Sequence, residues 1–246
     1  EIMHSGEPTR INHSLRGKIF WPVEDRPLYY KKEVEYMDRQ IGFLIEKLKE
    51  LDLFDKTQIL MVGDHGEGLG EHLNFSGNPD FGHVNFLYKN YTNVPLIIYD
   101  PKGNKQGTRI DSIVSLLDVA PTILGAMGYD PLSHHQGRNL LGLTEDKDHI
   151  LWLQTHKPQA ERNIFAVVSF PWRLIYIPKQ KEFKLYNIQD DPDQTNDVYE
   201  LNKGSAEKTE LKQELLEKTR DILKNKKFSR ANKKTEEMLR ALGYIK

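Results

Sequence analysis

The chain has 246 residues, 38% hydrophobic and 29% charged, with a formal net charge of −1 and no cysteine. That composition belongs to a folded globular protein, and near-neutrality removes any global electrostatic case for nucleic acid. No apolar run approaches the roughly 18 residues of a membrane span, and disulfides, thiolate metal sites and a cysteine nucleophile are excluded within these residues.

Residues 1–28 hold three prolines and no clear period, and are expected to be loop. The absence of an initiating Met at Glu1 and of a signal-peptide pattern reads as a processed, trimmed or partial chain. Glycosylation-type sequons at Asn12, Asn74 and Asn90 are read as chance occurrences. Residues 29–51 predict a helix, because Val34, Met37, Ile41, Leu44, Ile45 and Leu48 recur at three- and four-residue spacing. "TQILMVG" (57–63) predicts a short buried strand, followed by a glycine-rich loop over 66–83. "NVPLIIYD" (93–100) predicts a second strand, and a helix capped by Asp118 is expected to end at Gly128.

The character changes near residue 145. "NIFAVVSF", "WRLIYI" and "FKLYNI" predict three short antiparallel strands, followed by helices over 206–224 and 230–241. The expected architecture is a layered α/β domain over 1–145 and a small α+β subdomain over 146–246.

The most specific stretch is "MVGDHGEGLGEH" (61–72). It sets Asp64 and His65 at the carboxyl end of the first predicted strand, where open α/β sheets bind ligands. A hard carboxylate oxygen and an imidazole nitrogen together suit a divalent cation. The following glycines let the backbone approach another group closely. His83 stands at the far end of the same loop, able to protonate a leaving group or meet an anion. His72 has the same chemistry with less context. His134 and His135 have no partner pattern and read as exposed loop. Ser169 to Arg173 has Ser-x-Pro-x-Arg spacing but lies between two predicted strands, which argues against a nucleophile there. The lysines and arginines from Lys224 to Lys234 read as a solvated, charged face.

These stretches resemble a known family. "EVEYMDRQIGFLIEKLKELDLFDKTQILMVGDHGEGLGEH" is similar to the second half of the sulfatase catalytic domain, in the alkaline phosphatase superfamily, with Tyr36 and Asp38 in its Tyr-x-Asp core. "GHVNFLYKNYTNVPLIIYDP", "IVSLLDVAPTILGAMG", "GRNLLGL", "KLYNIQDDPDQTNDV" and "MLRALGYI" resemble its later blocks, in order, over residues 29–246. The resemblance implies a mixed, mostly parallel sheet sandwiched by helices, with a small carboxyl-terminal antiparallel sheet plus helix. It implies that Asp64 and His65 ligate a divalent cation, most often Ca2+, with Mn2+ or Zn2+ as alternatives. It places His83 against the sulfate or leaving oxygen and His72 near the mouth of the site. The implied substrate is a sulfated small molecule or glycan, and a periplasmic or extracellular location follows from the family alone.

Two departures stand out. The family's formylglycine-forming Cys/Ser-x-Pro-x-Arg motif and two further acidic ligands are absent, so the chain resembles the carboxyl-terminal half of a longer enzyme, inactive without the other half. Lys89 and Asn90 replace an acidic pair. The alternatives are a phosphoryl-transfer member of the superfamily (a phosphonate or phosphodiester hydrolase, or a phosphoglycerol or phosphoethanolamine transferase) and a non-catalytic glycan-binding relative.

Overall fold

The structure is a computed structural model that describes residues 25–83, 85–103, 107–143, 146, 149–157, 162–201 and 205–224. The chain forms two compact units: Glu1–Gln58 with Asp100–Lys102, and Ile59–Tyr99 with Gly103–Lys246.

The first unit is built on α1 (Arg26–Glu50). It begins three residues before the predicted 29, because Pro27 in the first turn has its fixed φ already suited to a helix and lacks only an N–H that would be unpaired there. Lys47 and Lys49 occupy its last turn, where cations complement the exposed carbonyls. No residue of α1 is buried. Its apolar stripe stands open, with Val34, Met37 and Leu44 between 53% and 59% exposed.

The second unit begins with β1 (Ile59–Val62), which lies where the strand was predicted but is half-buried rather than buried, with Val62 37% exposed, and carries Asp64 and His65 just beyond its end. The predicted glycine-rich loop is instead largely a hairpin, β2 (Gly68–Leu73) against β3 (Pro79–Gly82). Three glycines in positive-φ conformations, Gly70, Gly77 and Gly82, shape it and hide its alternation from a sequence pattern. Asn74 makes the turn, its side-chain oxygen accepting from the amides of Ser76 and Asn78. A short helix, α2 (Lys89–Thr92), then leads into β4 (Leu96–Tyr99).

β1 and β4 pair antiparallel, with Leu60 opposite Ile98, and every ladder among the described residues is antiparallel. A parallel pair needs a crossover of a dozen or more residues, usually an α-helix. Between β1 and β4 the chain instead folds into a hairpin and a four-residue helix, and returns in the opposite direction.

Asp118 does not cap α3 (Val119–Ala126) by a side-chain bond. A capping box one turn earlier does that work: Ser115 accepts from the Leu117 amide while the Asp118 carboxylate accepts from the Ser115 amide. The other Asp118 oxygen accepts from the Arg138 amide at 2.8 Å, and Thr122 Oγ1 accepts from the Leu140 amide at 3.0 Å. The "GRNLLGL" block is thereby held on this turn.

Three of the four strands of the last sheet were predicted: β6 (Arg162–Ser169), β7 (Trp172–Ile177) and β8 (Glu182–Asn187). β5 (Leu151–Lys157) was not, because its "LWLQTHK" mixes polar and apolar residues as an edge strand does. The order is β5-β6-β7-β8. Its two faces follow the two-residue period of strands. Phe165, Val167, Leu174 and Leu185 pack on Leu211 and Leu215 of α4 (Ala206–Lys224). Ile164, Ala166, Ile175, Ile177 and Tyr186 pack on Phe86, Leu87, Tyr88 and Tyr91. The second face is what positions the site, since it is the floor beneath residues 86–91. The predicted helix over 230–241, and the basic cluster beyond Lys224, lie outside the described residues.

Two ties hold that floor. Arg173, 7% exposed, donates from one guanidinium nitrogen to the Leu87 carbonyl at 2.9 Å and the Thr92 hydroxyl at 3.0 Å. Burial pushes its pKa down to about 10, still leaving it charged at neutral pH. Gln194, buried, accepts from the Lys89 amide at 2.6 Å. Arg173 of the Ser-x-Pro-x-Arg stretch is therefore a structural tie, and Ser169 ends β6 beside a tight turn.

Candidate functional site

Asp64 and His65 leave the end of β1 just as the backbone stops pairing. One Asp64 oxygen accepts from the His65 amide at 3.0 Å, and the other lies 3.8 Å from His65 Nε2. His65 Nδ1 is 2.9 Å from the Gly66 carbonyl. A carbonyl only accepts, so Nδ1 carries the proton and the Nε2 lone pair is free for a cation. The Asp64 side chain is 79% exposed and free to turn.

The next two glycines are required by contact. Gly66 donates its amide to the Tyr91 carbonyl at 2.9 Å. A Cβ there would sit 2.0 Å from the Asn90 carbonyl oxygen. At Gly68 it would sit 2.5 Å from the Tyr91 hydroxyl. The loop after β1 thus lies directly on α2, which explains the glycines that follow Asp64-His65.

His83 comes from the opposite direction, at the end of β3. Its ring stacks on His65, centroids 3.8 Å apart and planes 20° apart. Its Nδ1 is 3.0 Å from the Glu67 carboxylate. That contact fixes the ring and leaves Nε2 to face a ligand. His65, Glu67 and His83 together offer three metal-competent atoms within 4.8 Å of one another. Glu67 was not singled out from the sequence. Its signal is the carboxylate two residues beyond His65, close enough in the chain to share the turn.

His72 is placed elsewhere, stacked on the buried Tyr88 at 3.8 Å and 14°. It is not part of the His65–Glu67–His83 group. Burial is the main cause that holds its pKa below 6.5, partly offset by Glu71. The folded protein therefore disfavours the imidazolium. As pH falls below 6.5, the unfolded chain takes up a proton that the folded one refuses, so stability is lost over that interval. The His72→Phe variant, which keeps the stack, should show a flatter acid limb of Tm against pH from 7.5 to 5 (pH range about that of free imidazole titration). An acid limb as steep as wild type would mean that His72 does not contribute to it.

His134 is exposed as expected, while His135 is half-buried and meets it edge-on. Asn90 is tied down, its amide donating to Glu71 at 3.0 Å. A cavity of about 600 Å³ lined by Ser115, Trp152, Phe165 and Leu215 contains none of the site histidines.

Comparison with known proteins follows the same lines. Residues 12–129 match the family profile described as Sulfatase, and residues 77–221 match that described as N-sulphoglucosamine sulphohydrolase, C-terminal. The chain is 28% identical over 224 residues to N-acetylglucosamine-6-O-sulfatase of Bacteroides thetaiotaomicron, an alignment that covers 86% of this chain and 39% of that protein. It is 27% identical over 186 residues to arylsulfatase K of Homo sapiens, covering 70% of this chain and 33% of that one. Among solved structures it is similar to a protein in complex with its substrate D-glucosamine-2-N,6-O-disulfate, with a TM-score of 0.67 and 26% identity over 78% of this chain and 40% of that one. The chain therefore spans between a third and two-fifths of the length of these relatives.

Proposed function

The chain belongs to the sulfatase family, and from that premise we propose that it is the carboxyl-terminal part of a hydrolase that cleaves sulfate esters of a sulfated amino sugar or glycan. The observation that carries this is the His83–His65 stack beside Asp64, with both ring Nε2 atoms left free by their Nδ1 contacts. The relative named an N-acetylglucosamine-6-O-sulfatase, and the neighbour bound to a disulfated glucosamine, support the substrate class.

Asp64 and His65 fit a divalent cation, since a carboxylate oxygen and an unprotonated imidazole nitrogen lie side by side at an exposed strand end. We assign them as two of its ligands, with Ca2+ as the ion. When bound, such a cation draws negative charge from the sulfate oxygens. His83 supplies the proton. It does so with both ring nitrogens protonated, Nδ1–H donating to Glu67: as the bond between sulfur and the ester oxygen breaks, that oxygen leaves as an alcohol by taking the Nε2 proton, and solvent restores it. Glu67 holds the ring in the orientation that aims Nε2 outward. His72, farther along the hairpin, is assigned to the substrate's outer portion. The nucleophile and the remaining acidic ligands come from residues outside this sequence.

The same reading assigns residues 1–145 to the catalytic α/β domain and 146–246 to a small carboxyl-terminal subdomain. In it, the β1–β4 pair joins a mixed, mostly parallel sheet, and the open apolar stripe of α1 is covered by the amino-terminal half of the enzyme. The test is the full-length protein assayed on glucosamine 6-sulfate and on matched phosphate esters, before and after chelation. Chelator-sensitive sulfate release, restored by Ca2+, is expected. Phosphate or phosphonate ester cleavage without sulfate release would overturn the reading.

A further inference from the structure

Tyr91 has no role in the chemistry above, yet it touches both halves of the site. It is 3% exposed. Its carbonyl accepts from the Gly66 amide at 2.9 Å, on the loop that carries His65 and Glu67. Its hydroxyl donates to Asp80 at 2.6 Å, on the strand that ends just before His83. Asp80 is itself 2% exposed, and its other oxygen accepts from Asn85 at 2.7 Å. Burial, and then the bond to Asp80, raises the Tyr91 pKa well above its ordinary value, so the hydroxyl stays a donor throughout the working pH range.

The residue is also anchored from below. Arg173 holds the Leu87 carbonyl and the Thr92 hydroxyl, and Gln194 holds the Lys89 amide, so both ends of α2 are pinned to the carboxyl-terminal sheet and its following loop. Tyr91 sits between these pins and packs in the same apolar cluster as Tyr88 and Ile164. Gly68 has no Cβ because the Tyr91 hydroxyl occupies that space, 2.5 Å from where it would lie.

We propose that Tyr91 is a positioning residue that fixes the His65–Glu67 loop and the His83 strand at one separation, the loop through its carbonyl and the strand through its hydroxyl. The His65–His83 stack and the Glu67–His83 contact are the readouts of that separation, because each joins one clamped segment to the other. Catalysis depends on such spacing steeply: a displacement of about 1 Å costs on the order of a hundredfold in rate. This inference rests on the sulfatase reading only for its kinetic consequence, not for its geometry.

The test is Tyr91→Phe in the full-length protein, read in two ways. With histidine labelled in its ring, the His65 and His83 signals are expected to lose the ring-current shift that stacking imposes. In parallel, kcat for sulfate release is expected to fall by about tenfold or more with KM within about threefold, the pattern of an interaction that acts on the transition state. If removal of the hydroxyl strands the Asp80 charge and the variant fails to fold, Tyr91→Phe with Asp80→Asn removes the hydroxyl and the buried charge together and carries the same test. Unchanged ring signals in a folded variant would overturn the proposal. If the wild type releases no sulfate while the ring signals move as expected, the functional reading fails and the positioning role stands.

Discussion

Replacing His83 by alanine in the full-length protein should lower kcat for an alkyl sulfate by about 10²- to 10⁴-fold, the range measured for loss of a positioned general acid. The same change should cost far less with p-nitrophenyl sulfate, whose leaving group departs as a stable anion and needs no proton. The contrast follows from the geometry. Glu67 engages Nδ1, and Nε2 is the only ring atom left to meet a substrate. Stability should move little, since the side chain is 44% exposed and loses only one surface contact and one stack. His83→Gln is the sharper variant: it retains hydrogen-bonding groups but cannot transfer a proton. Kinetics on the two esters with both variants decide the role. Equal losses on both esters would show that His83 stabilises sulfate charge rather than protonating the leaving oxygen.

The elements that could be read from the sequence are those whose burial pattern is carried by side chains. α4 occupies the residues predicted for it, and β6 and β7 read as near-continuous apolar runs because both faces of their sheet are covered. The hairpin of β2 and β3 was not legible, because "GLGEHL" spends its alternate positions on glycine and its core contact is made by backbone against Tyr91. β5 escaped notice as an edge strand, and the antiparallel β1–β4 pair follows from the chain reversal through the hairpin and α2, which element order alone does not reveal.

Asp64, His65 and His83 could be put forward as candidates because metal ligands and acids come from few residue types. Glu67 was not, because its one cue, a carboxylate two residues beyond His65, is faint in a chain with 36 acidic residues. Tyr91 and Asp80 could not be read at all. Their significance lies in where a carbonyl and a hydroxyl point, and only the fold supplies that. The sequence motif nearest to explaining them was the glycine pair, Gly66 and Gly68, which marked that something had to come close without saying what.

Gly66→Ala is therefore the most informative change outside the reacting groups. The added methyl would meet the Asn90 carbonyl oxygen at 2.0 Å, its carbon at 2.9 Å and the Tyr91 carbonyl carbon at 3.0 Å. All three are backbone atoms of a helix pinned by Arg173 and Gln194, so no flexible side chain can yield. The loop must lift instead, which breaks the Gly66–Tyr91 bond and draws His65 and Glu67 away from His83. Overpacking of this kind costs about 1–3 kcal/mol, and the displacement should lower kcat/KM by about 10²-fold or more. Gly42→Ala is the control. That glycine lies in α1 with nothing among the described residues within 4 Å of an added Cβ, so no backbone clash arises there and the helix itself should gain about 0.5–1 kcal/mol. Thermal melts and steady-state kinetics on both variants settle the point. Full activity in Gly66→Ala would mean that the loop has slack, and that the close approach to α2 does not set the geometry of the site.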